Sequence, residues 1–304
     1  MKQVAVIAAG ADETAVGVQN ALARLGARVV FIDTSAEPPL SLRDGRVLLA
    51  GRDVTSIRAV YVKSMHLAVP LFEIESLAQR SLPSWPERWV AERERHGHLT
   101  AAFRAWELAG AHFVNSVARF EVHLVKPLQT EVLSRAGVRV PSSLTTNDPQ
   151  QVRAFFKQHG DVIYKPVAGG ALAKRLTKAD LKRLDSLSNA PVLFQQRIEG
   201  DEYRVTMLDG KAVGAYRLPA TGVVDAREVL EQAQPVKPPV KVVRAATKAA
   251  KALQLTFTSV DIRVTASGEP YVLECNPTPS VAHYEDPETS QILKALAEHL
   301  LRHA

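Results

Sequence analysis

The chain contains 304 residues, of which 46% are hydrophobic and 23% are charged, and its net charge is +6. This length exceeds what one ordinary hydrophobic core supports, so we expect two or three subdomains. The opening MKQVAVIAAG is too short an apolar run for a signal peptide or a membrane span, and a single cysteine excludes an internal disulfide, so we expect a cytoplasmic protein. Basic residues are spread without a basic run, which predicts no nucleic-acid and no membrane partner, and an anionic small ligand explains the charge as well.

The first third of the chain predicts an α/β opening. An apolar strand over residues 2–8 precedes a helical pattern over 14–25, and further strands are predicted over 28–33 and 57–62. The first turn between strand and helix has no GxGxxG pattern, so it predicts no dinucleotide site.

A long helical pattern then runs to Gly110. His96 and His98 lie in it, but residues two apart on a helix point to different sides, so we interpret them as helix surface rather than as metal ligands. The aromatic residues of this stretch have spacings compatible with one buried face, and they are Trp89, Phe103 and Trp106.

The organisation changes after Phe113, where a strand is followed by a helix over about 126–136. Pro127 fits the first helical turn, because its missing N–H costs nothing there, and this places Lys126 at a helix N-terminus. Unpaired amides and the helix dipole make such an end a plausible phosphate site, and an exposed cap lysine is the alternative.

Two further segments combine strands with polar residues. DVIYKPVAGGALAK predicts a strand that ends at Lys165 before a small-residue loop with Gly169-Gly170, which suits either close approach to an anion or a plain turn. PVLFQQRIEGDEYRVTML predicts a strand that reaches the linker 195–198, and then a strand on which Glu202 and Arg204 share a face.

The segment from Ser259 to Pro277 predicts a hairpin around Ser267-Gly268. Its symmetric register sets Asp261 opposite Glu274 and Ser259 opposite Asn276, and it also pairs Ile262 with Leu273 and Arg263 with Val272. Because side chains alternate, one face is predicted to be apolar, with Val260, Ile262, Val264, Tyr271, Leu273 and Cys275. The other is predicted to be polar, with Ser259, Asp261, Arg263, Val272, Glu274 and Asn276.

Two directly opposed carboxylates repel each other unless something positive lies between them. The oxygen set of Asp261, Glu274 and Asn276 suits a hard cation such as Mg²⁺. The alternative is a solvated polar face on which Arg263 neutralises one acid. Cys275 lies on the apolar face, so we interpret it as core packing rather than as a nucleophile.

In this order the pieces resemble the ATP-grasp superfamily from roughly Asn115 to His299. The matching set comprises, in sequence, Lys126, Lys165 in a KP pair, the QQRI linker, Glu202 and Arg204 in ExR, Arg217, Asp261, and Glu274 and Asn276 in ExN. The segments YKP, EYRV and LECNP look most like the branch that holds ribosomal-protein glutamate ligases and graspetide peptide maturases.

The resemblance implies an α/β plus α+β architecture, in which an N-terminal pre-ATP-grasp α/β domain (1–114) precedes a two-lobed ATP-grasp domain (115–304, with lobes of about 115–194 and 195–304). It also implies ATP as the nucleotide, with Mg²⁺ or alternatively Mn²⁺. The implied roles are phosphate binding by Lys126 and Lys165, adenine contacts by Gln195, Gln196 and Ile198, ribose binding by Glu202, Mg²⁺ binding by Asp261, Glu274 and Asn276, and steadying of the transferred phosphoryl group by Arg204 and Arg217.

Two features depart from the family pattern. The loop after Lys165 carries only Gly169-Gly170, where a longer glycine-rich lid is usual, and the linker has Gln196 where an acid is common.

The reaction implied is amide formation from a small-molecule or peptide carboxylate and an amine through an acyl phosphate, with release of ADP and phosphate. A graspetide maturase that cross-links peptide side chains, a nucleotide-binding protein without turnover and a phosphotransferase are the alternatives. The oligomeric state, including a homo-oligomer, stays open.

Overall fold

The computed structural model describes residues 1–36, 38–65, 85–168 and 171–304, and it leaves the side chains of residues 85–89, 121 and 123 undescribed. Two compact units result: Met1–Ala118 together with Ser280–Ala304, and Arg119–Pro279. The predicted boundaries after residues 114 and 194 stay predictions. No helix of the described ranges is long and apolar enough to cross a membrane.

Strands and α-helices follow one another along the chain with these bounds. In chain order they are β1 (Gln3–Ala8), α1 (Glu13–Arg24), β2 (Arg28–Asp33), β3 (Leu40–Arg43), β4 (Arg46–Leu49), β5 (Arg52–Asp53), β6 (Ala59–Val62), α2 (Trp85–Leu108), β7 (His112–Val114), α3 (Lys126–Arg135), β8 (Ser143–Thr146), α4 (Pro149–His159), β9 (Val162–Pro166), β10 (Lys174–Arg175), β11 (Val192–Gln196), β12 (Asp201–Leu208), β13 (Lys211–Leu218), β14 (Gln234–Pro235), α5 (Val240–Ala252), β15 (Phe257–Val264), β16 (Pro270–Asn276) and α6 (Gln291–His303). Short 3₁₀ helices cover Val117–His123, Asp180–Lys182, Leu184–Ser188 and Ala226–Gln232.

The first unit contains a parallel sheet with the strand order β2-β1-β6-β7, which confirms the predicted α/β opening. Helix α1 packs against α6, and Gly17 is required at that contact, because a Cβ there would lie 2.6 Å from Leu293 Cδ1. A small antiparallel sheet, β3-β4-β5, lies beside α2.

Helix α2 buries two of the three aromatic residues that its spacing predicted to be core. Phe103 and Trp106 are both 0% exposed, and Trp106 Nε1 donates a hydrogen bond of 3.0 Å to the carbonyl of Ile57. The side chain of Trp89 lies outside the described residues. His98 Nε2 lies 3.0 Å from the carbonyl oxygen of Leu40, so this histidine ties α2 to β3.

The second unit is built on two sheets, β10-β9-β11-β8 and β14-β13-β12-β15-β16, whose strand pairs are antiparallel. The apolar face of the five-stranded sheet packs against α5, where Val242, Ala246 and Ala249 are buried against Val260 and Ile262. Burial of this kind stabilises the fold by about 25 cal/mol per Å² of apolar surface. The opposite face of the same sheet is therefore left for polar residues.

The hairpin of β15 and β16 confirms the predicted pairs Asp261 with Glu274 and Ser259 with Asn276. The two further predicted pairs are wrong, because Ile262 lies opposite Val272 and Arg263 lies opposite Tyr271.

A β-bulge between Asp261 and Ile262 is the cause: it adds one unpaired residue, Leu273, to β16 and changes the face of every residue on one side of it. Val272, predicted on the polar face, is consequently a core residue with 1% exposure. Cys275 is also buried at 1%, and burial raises the pKa of its thiol well above the usual value, as expected for core packing.

Candidate active site

The polar face of the five-stranded sheet gathers acids and bases from three neighbouring strands. Directly opposite residues of an antiparallel pair point to the same face. Arg204 on β12 lies opposite Asp261 on β15, which lies opposite Glu274 on β16. Ser259 and Asn276 form the next pair along this face. The sequence therefore folds into a row in which one guanidinium and two carboxylates are adjacent.

Asp261 is the buried centre of this row, with 8% exposure. Its Oδ1 atom has no hydrogen-bond partner, and Arg204 Nη1 lies 3.6 Å away while Arg204 Nη2 donates a hydrogen bond of 2.9 Å to Ser259 Oγ. Burial raises the pKa of Asp261, the Arg204 charge opposes this, and the Glu274 charge adds to it. An orphaned buried oxygen beside a second carboxylate fits a divalent cation, because the cation would supply the missing partner.

Lys126 joins the same group from the N-terminus of α3. Its Nζ atom donates a hydrogen bond to Glu274 Oε2, and the Lys126 side chain is 14% exposed. The alternative of an exposed cap lysine is thus wrong. Asn276 completes the set at the end of β16, where its Oδ1 atom accepts a hydrogen bond of 3.1 Å from the Thr278 amide.

Lys165 lies on β9 of the four-stranded sheet and belongs to the same electrostatic environment. Burial lowers its pKa, the charge of Glu274 opposes that shift, and the charge of Lys126 adds to it. The charged form of a half-buried lysine that lacks full compensation is stabilised by an incoming anion. Gly169 and Gly170, which stand where the family usually carries a longer glycine-rich lid, lie outside the described residues.

Arg263 makes an extensive set of contacts on this face, and sequence reasoning assigned it only as a neutralising charge. With 3% exposure, it donates through Nε to Glu202 Oε2 at 3.1 Å and through Nη1 and Nη2 to main-chain carbonyl oxygens of Ile198, Val223 and Val224 at 3.0–3.3 Å. The acid that it neutralises is Glu202, not Asp261 or Glu274. The pKa of Glu202 is raised to about 7, because burial and the charge of Asp261 together outweigh the opposing charge and hydrogen bond of Arg263.

The linker residues divide between two faces of β11. Gln195 lies opposite Ile163, and Lys165 lies opposite Leu193, so Gln195 and Lys165 share a face. Gln195 is 2% exposed, and its Nε2 atom donates a hydrogen bond of 3.0 Å to Ser143 Oγ.

Gln196 points to the other face of β11 and lines a separate cavity of about 560 Å³, together with Ile198, Tyr203 and Thr221. The structure thus brings Gln195 toward Lys165 but not Gln196, whose adenine role stays a prediction.

Arg217 is not brought to the polar face. It lies opposite Tyr203 on the α5 side of the sheet, and its Nε and Nη2 atoms donate to Asp201 Oδ2, at 2.8 Å for Nε. A bulge between Thr206 and Met207 is responsible, because a regular hairpin would have set Arg217 opposite Glu202. Of the two predicted phosphoryl-binding arginines, Arg204 alone lies beside Asp261.

Two residues that sequence reasoning did not assign support the site. Gln129 on α3 is 4% exposed and binds both main-chain groups of Cys275. Arg227 donates to Asp225 and to the carbonyl oxygen of Ala171. The hydrogen bond to Asp225 raises the pKa of Arg227 most, burial opposes this, and the charges of Asp225, Glu274 and Asp261 add smaller increases. Arg227 therefore lies within the field of the carboxylates.

Known proteins resemble this chain over most of its length. A family model described as ATP-grasp domain, R2K clade family 3, matches residues 49–300. The glutathione synthetase of Thermosynechococcus vestitus is 26% identical over 241 residues, which cover 69% of each chain.

Among solved structures, the ATP-grasp ligase PsnB complexed with a phosphomimetic variant of a minimal precursor, Mg and ADP is 32% identical over 99% of this chain and 98% of its own, with a TM-score of 0.85. The macrocyclase MdnC of Microcystis aeruginosa MRC, bound with the precursor peptide MdnA, is 20% identical over 99% of this chain and 100% of its own, with a TM-score of 0.81, and shows the shared fold.

Proposed function

Because the chain belongs to the ATP-grasp family, in its R2K clade, we propose that it is a ligase that activates a carboxylate with ATP and joins it to an amine. The family match over residues 49–300 confirms the predicted resemblance. The single observation that carries the chemistry is the row of Arg204, Asp261 and Glu274, in which Asp261 Oδ1 is buried without a hydrogen-bond partner.

The cation of this site is proposed to be Mg²⁺, held by Asp261, Glu274 and Asn276. Carboxylate and amide oxygens are the ligands that Mg²⁺ prefers, and Mn²⁺ accepts the same ligands. When bound, Mg²⁺ would neutralise phosphate charge and polarise the phosphoryl group that is transferred. PsnB has been solved with Mg and ADP, and its 30% identity over 99% of this chain supports the proposal.

The remaining groups of the site are proposed to position the nucleotide. Lys126 and Lys165 bind phosphate oxygens, and burial of Lys165 favours an anion beside it. Glu202 accepts hydrogen bonds from ribose hydroxyls and is fixed in place by Arg263. Gln195, which shares a face of the sheet with Lys165, lies along the adenine, and the adenine contacts of Gln196 and Ile198 stay predictions. Arg204 donates to the transferred phosphoryl group, as an arginine does in many phosphoryl transfers.

The proposed reaction needs no nucleophile from the protein. A substrate carboxylate oxygen attacks the γ-phosphorus of ATP, and ADP leaves. The amine nitrogen then attacks the carbonyl carbon of the acyl phosphate, phosphate leaves with the C–O bonding electrons, and the nitrogen loses a proton to give the amide. The one cysteine is buried in the core and its pKa is raised, which agrees with a route that does not use it.

We propose a ribosomally made precursor peptide as the substrate, with Asp or Glu side chains joined to Lys, Ser or Thr. PsnB has been solved in complex with the precursor peptide PsnA2 and AMPPNP, and it is 31% identical over 99% of this chain. A free amino acid or a small peptide is the alternative that the similarity to glutathione synthetase supports.

The test is a turnover assay with purified protein, Mg²⁺, ATP and synthetic precursor peptides rich in acidic residues. We expect loss of one water per cross-link by mass spectrometry, with matching release of ADP and phosphate. Hydroxylamine added in place of the amine should give a hydroxamate. ADP release with phosphate retained on the product would indicate a phosphotransferase instead, and nucleotide binding without any ADP release would indicate a protein that does not turn over.

A further inference from the structure

Three histidines meet in the first unit, whereas every residue of the proposed active site lies in the second. His112 lies on β7 at the edge of the parallel sheet, and His299 and His303 lie one turn apart on α6. One ring nitrogen from each lies within 4.8 Å of the other two. Histidines four apart on a helix present their rings on one side, so both face the strand that carries His112.

The distance between ring nitrogens of His112 and His299 is close to the distance between two ligands of one metal ion. His112 Nε2 and His299 Nε2 are 3.1 Å apart, and the two nitrogens can share only one proton. Two nitrogens bound to the same tetrahedral zinc at about 2.0–2.1 Å lie roughly 3.4 Å apart. The observed separation is thus already close to the one that a metal requires.

A hydrogen bond of His303 leaves one of its ring nitrogens able to bind a metal ion. His303 Nδ1 lies 3.0 Å from the carbonyl oxygen of His299, and because a carbonyl only accepts, Nδ1 carries the proton and Nε2 is left with its lone pair. A main-chain carbonyl that orients the non-coordinating nitrogen is a frequent companion of metal-bound histidine.

The three histidines differ in their exposure to solvent. His299 is 2% exposed, His112 is half-buried and His303 is exposed. His303 stacks on His112 with the ring centroids 3.9 Å apart, so coordination requires its ring to tilt, and an exposed side chain in the last turn of α6 has the freedom to do so. The exposed side of the group provides an entry path for an ion.

We propose that His112, His299 and His303 form a binding site for Zn²⁺ or a similar divalent transition ion, with water in the fourth position. Three imidazoles suit this class of metal, whereas Mg²⁺ prefers oxygen ligands, so the site is chemically distinct from the carboxylate row. The ion links the C-terminal helix α6 to the edge strand β7. This proposal is independent of the proposed ligase function.

The experiment uses the full chain without a histidine tag, dialysed against a chelator and titrated with Zn²⁺ in excess Mg²⁺, which competes at the carboxylates. We expect one Zn²⁺ per chain, and Co²⁺ should give the intense visible absorption of a tetrahedral nitrogen site. His303→Ala should weaken Zn²⁺ binding at least tenfold, since changes even to the outer shell of a metal site cost about 10–100-fold.

Matched variants separate coordination from packing. His303→Cys keeps a zinc ligand and should retain binding, whereas His283→Ala removes an exposed histidine of the same unit and should leave the affinity unchanged. Circular dichroism of the metal-free variants verifies that each is folded. Zn²⁺ binding that is equal in the wild type and His303→Ala, or no stoichiometric binding by the wild type, overturns the proposal and leaves a stacked, hydrogen-bonded histidine cluster.

Discussion

The side-chain amide of Gln129 pairs with the main chain of Cys275: Gln129 Oε1 accepts from the Cys275 N–H at 2.6 Å, and Gln129 Nε2 donates to the Cys275 carbonyl oxygen at 3.0 Å. Gln129 thus replaces a neighbouring strand at the free edge of β16. Cys275 lies between Glu274 and Asn276, so this pair of hydrogen bonds fixes the backbone on which two proposed metal ligands are carried. The same helix begins with Lys126, which binds Glu274.

Replacement of Gln129 by leucine is therefore expected to act on metal binding as well as on stability. The buried N–H and C=O of Cys275 lose their partners, at a cost of about 1–3 kcal/mol each. We expect the Mg²⁺ concentration for half-maximal turnover to rise at least about tenfold, by the sensitivity of metal sites to their outer shell. Steady-state kinetics at varied Mg²⁺ and saturating peptide measures this.

The control is Gln151→Leu, which makes the same change at an exposed position of α4. It should change neither the stability nor the Mg²⁺ concentration for half-maximal turnover. A Gln129→Leu enzyme with a lower maximal rate but an unchanged Mg²⁺ requirement would mean that this residue serves stability alone.

Asp261→Asn separates the catalytic from the structural role of the buried carboxylate. We expect turnover to fall by at least about 100-fold, because stabilisation by a bound metal is worth several kcal/mol. The metal-free protein should be as stable as the wild type or more so, since the variant removes a buried charge that Glu274 repels. ADP release and chemical denaturation with a chelator present give the two readouts. Lower stability together with lower turnover would attribute the loss to misfolding.

The pKa of Glu202 predicts how the stability of the metal-free protein depends on pH. Its folded value is about 7, above the ordinary value of 4.5, because of burial and the charge of Asp261. Between these two values the folded state binds more protons than the unfolded state, so the free energy of unfolding decreases as pH rises from about 4.5 to about 7. Denaturant unfolding at several pH values measures this slope.

Glu202→Gln should flatten the slope, because the amide does not titrate. Glu269→Gln provides the matched control: the hydrogen bond from Lys241 lowers the pKa of Glu269, so its contribution changes only below that window. An unchanged slope in Glu202→Gln would show that this side chain is already charged in the folded protein at pH values of about 5.

Local pairing around Asp261 could be predicted from the sequence, because the two strands are joined by a short turn and their register follows from position alone. The positions of residues beyond a β-bulge could not be predicted. Leu273 is the extra residue in β16, and Val213 is the extra residue in β13. Each extra residue moves its neighbours to the opposite face of the sheet. The partners of Gln129 and Arg263 lie far away in the sequence, and Gln129 is separated from Cys275 by 146 positions. A polar residue in an apolar segment indicates a buried hydrogen bond, but it does not identify the hydrogen-bond partner of Gln129 or Arg263.

Arg204 and Arg217, both predicted to bind the transferred phosphoryl group, are expected to differ sharply in their effect on the rate. The bulge in the pair of β12 and β13 places them on opposite faces of the sheet. Arg204 lies 3.6 Å from Asp261 and is 17% exposed at its side chain, whereas Arg217 is 49% exposed and binds Asp201 on the other face. Arg204→Met should lower the maximal rate at least about 100-fold, as loss of a charge-stabilising donor does. Arg217→Met removes an exposed ion pair worth at most about 1 kcal/mol and should change the rate by less than about tenfold. Single-turnover kinetics with saturating ATP compares the two, and equal losses would mean that Arg217 reaches the reacting groups by a rearrangement of β13.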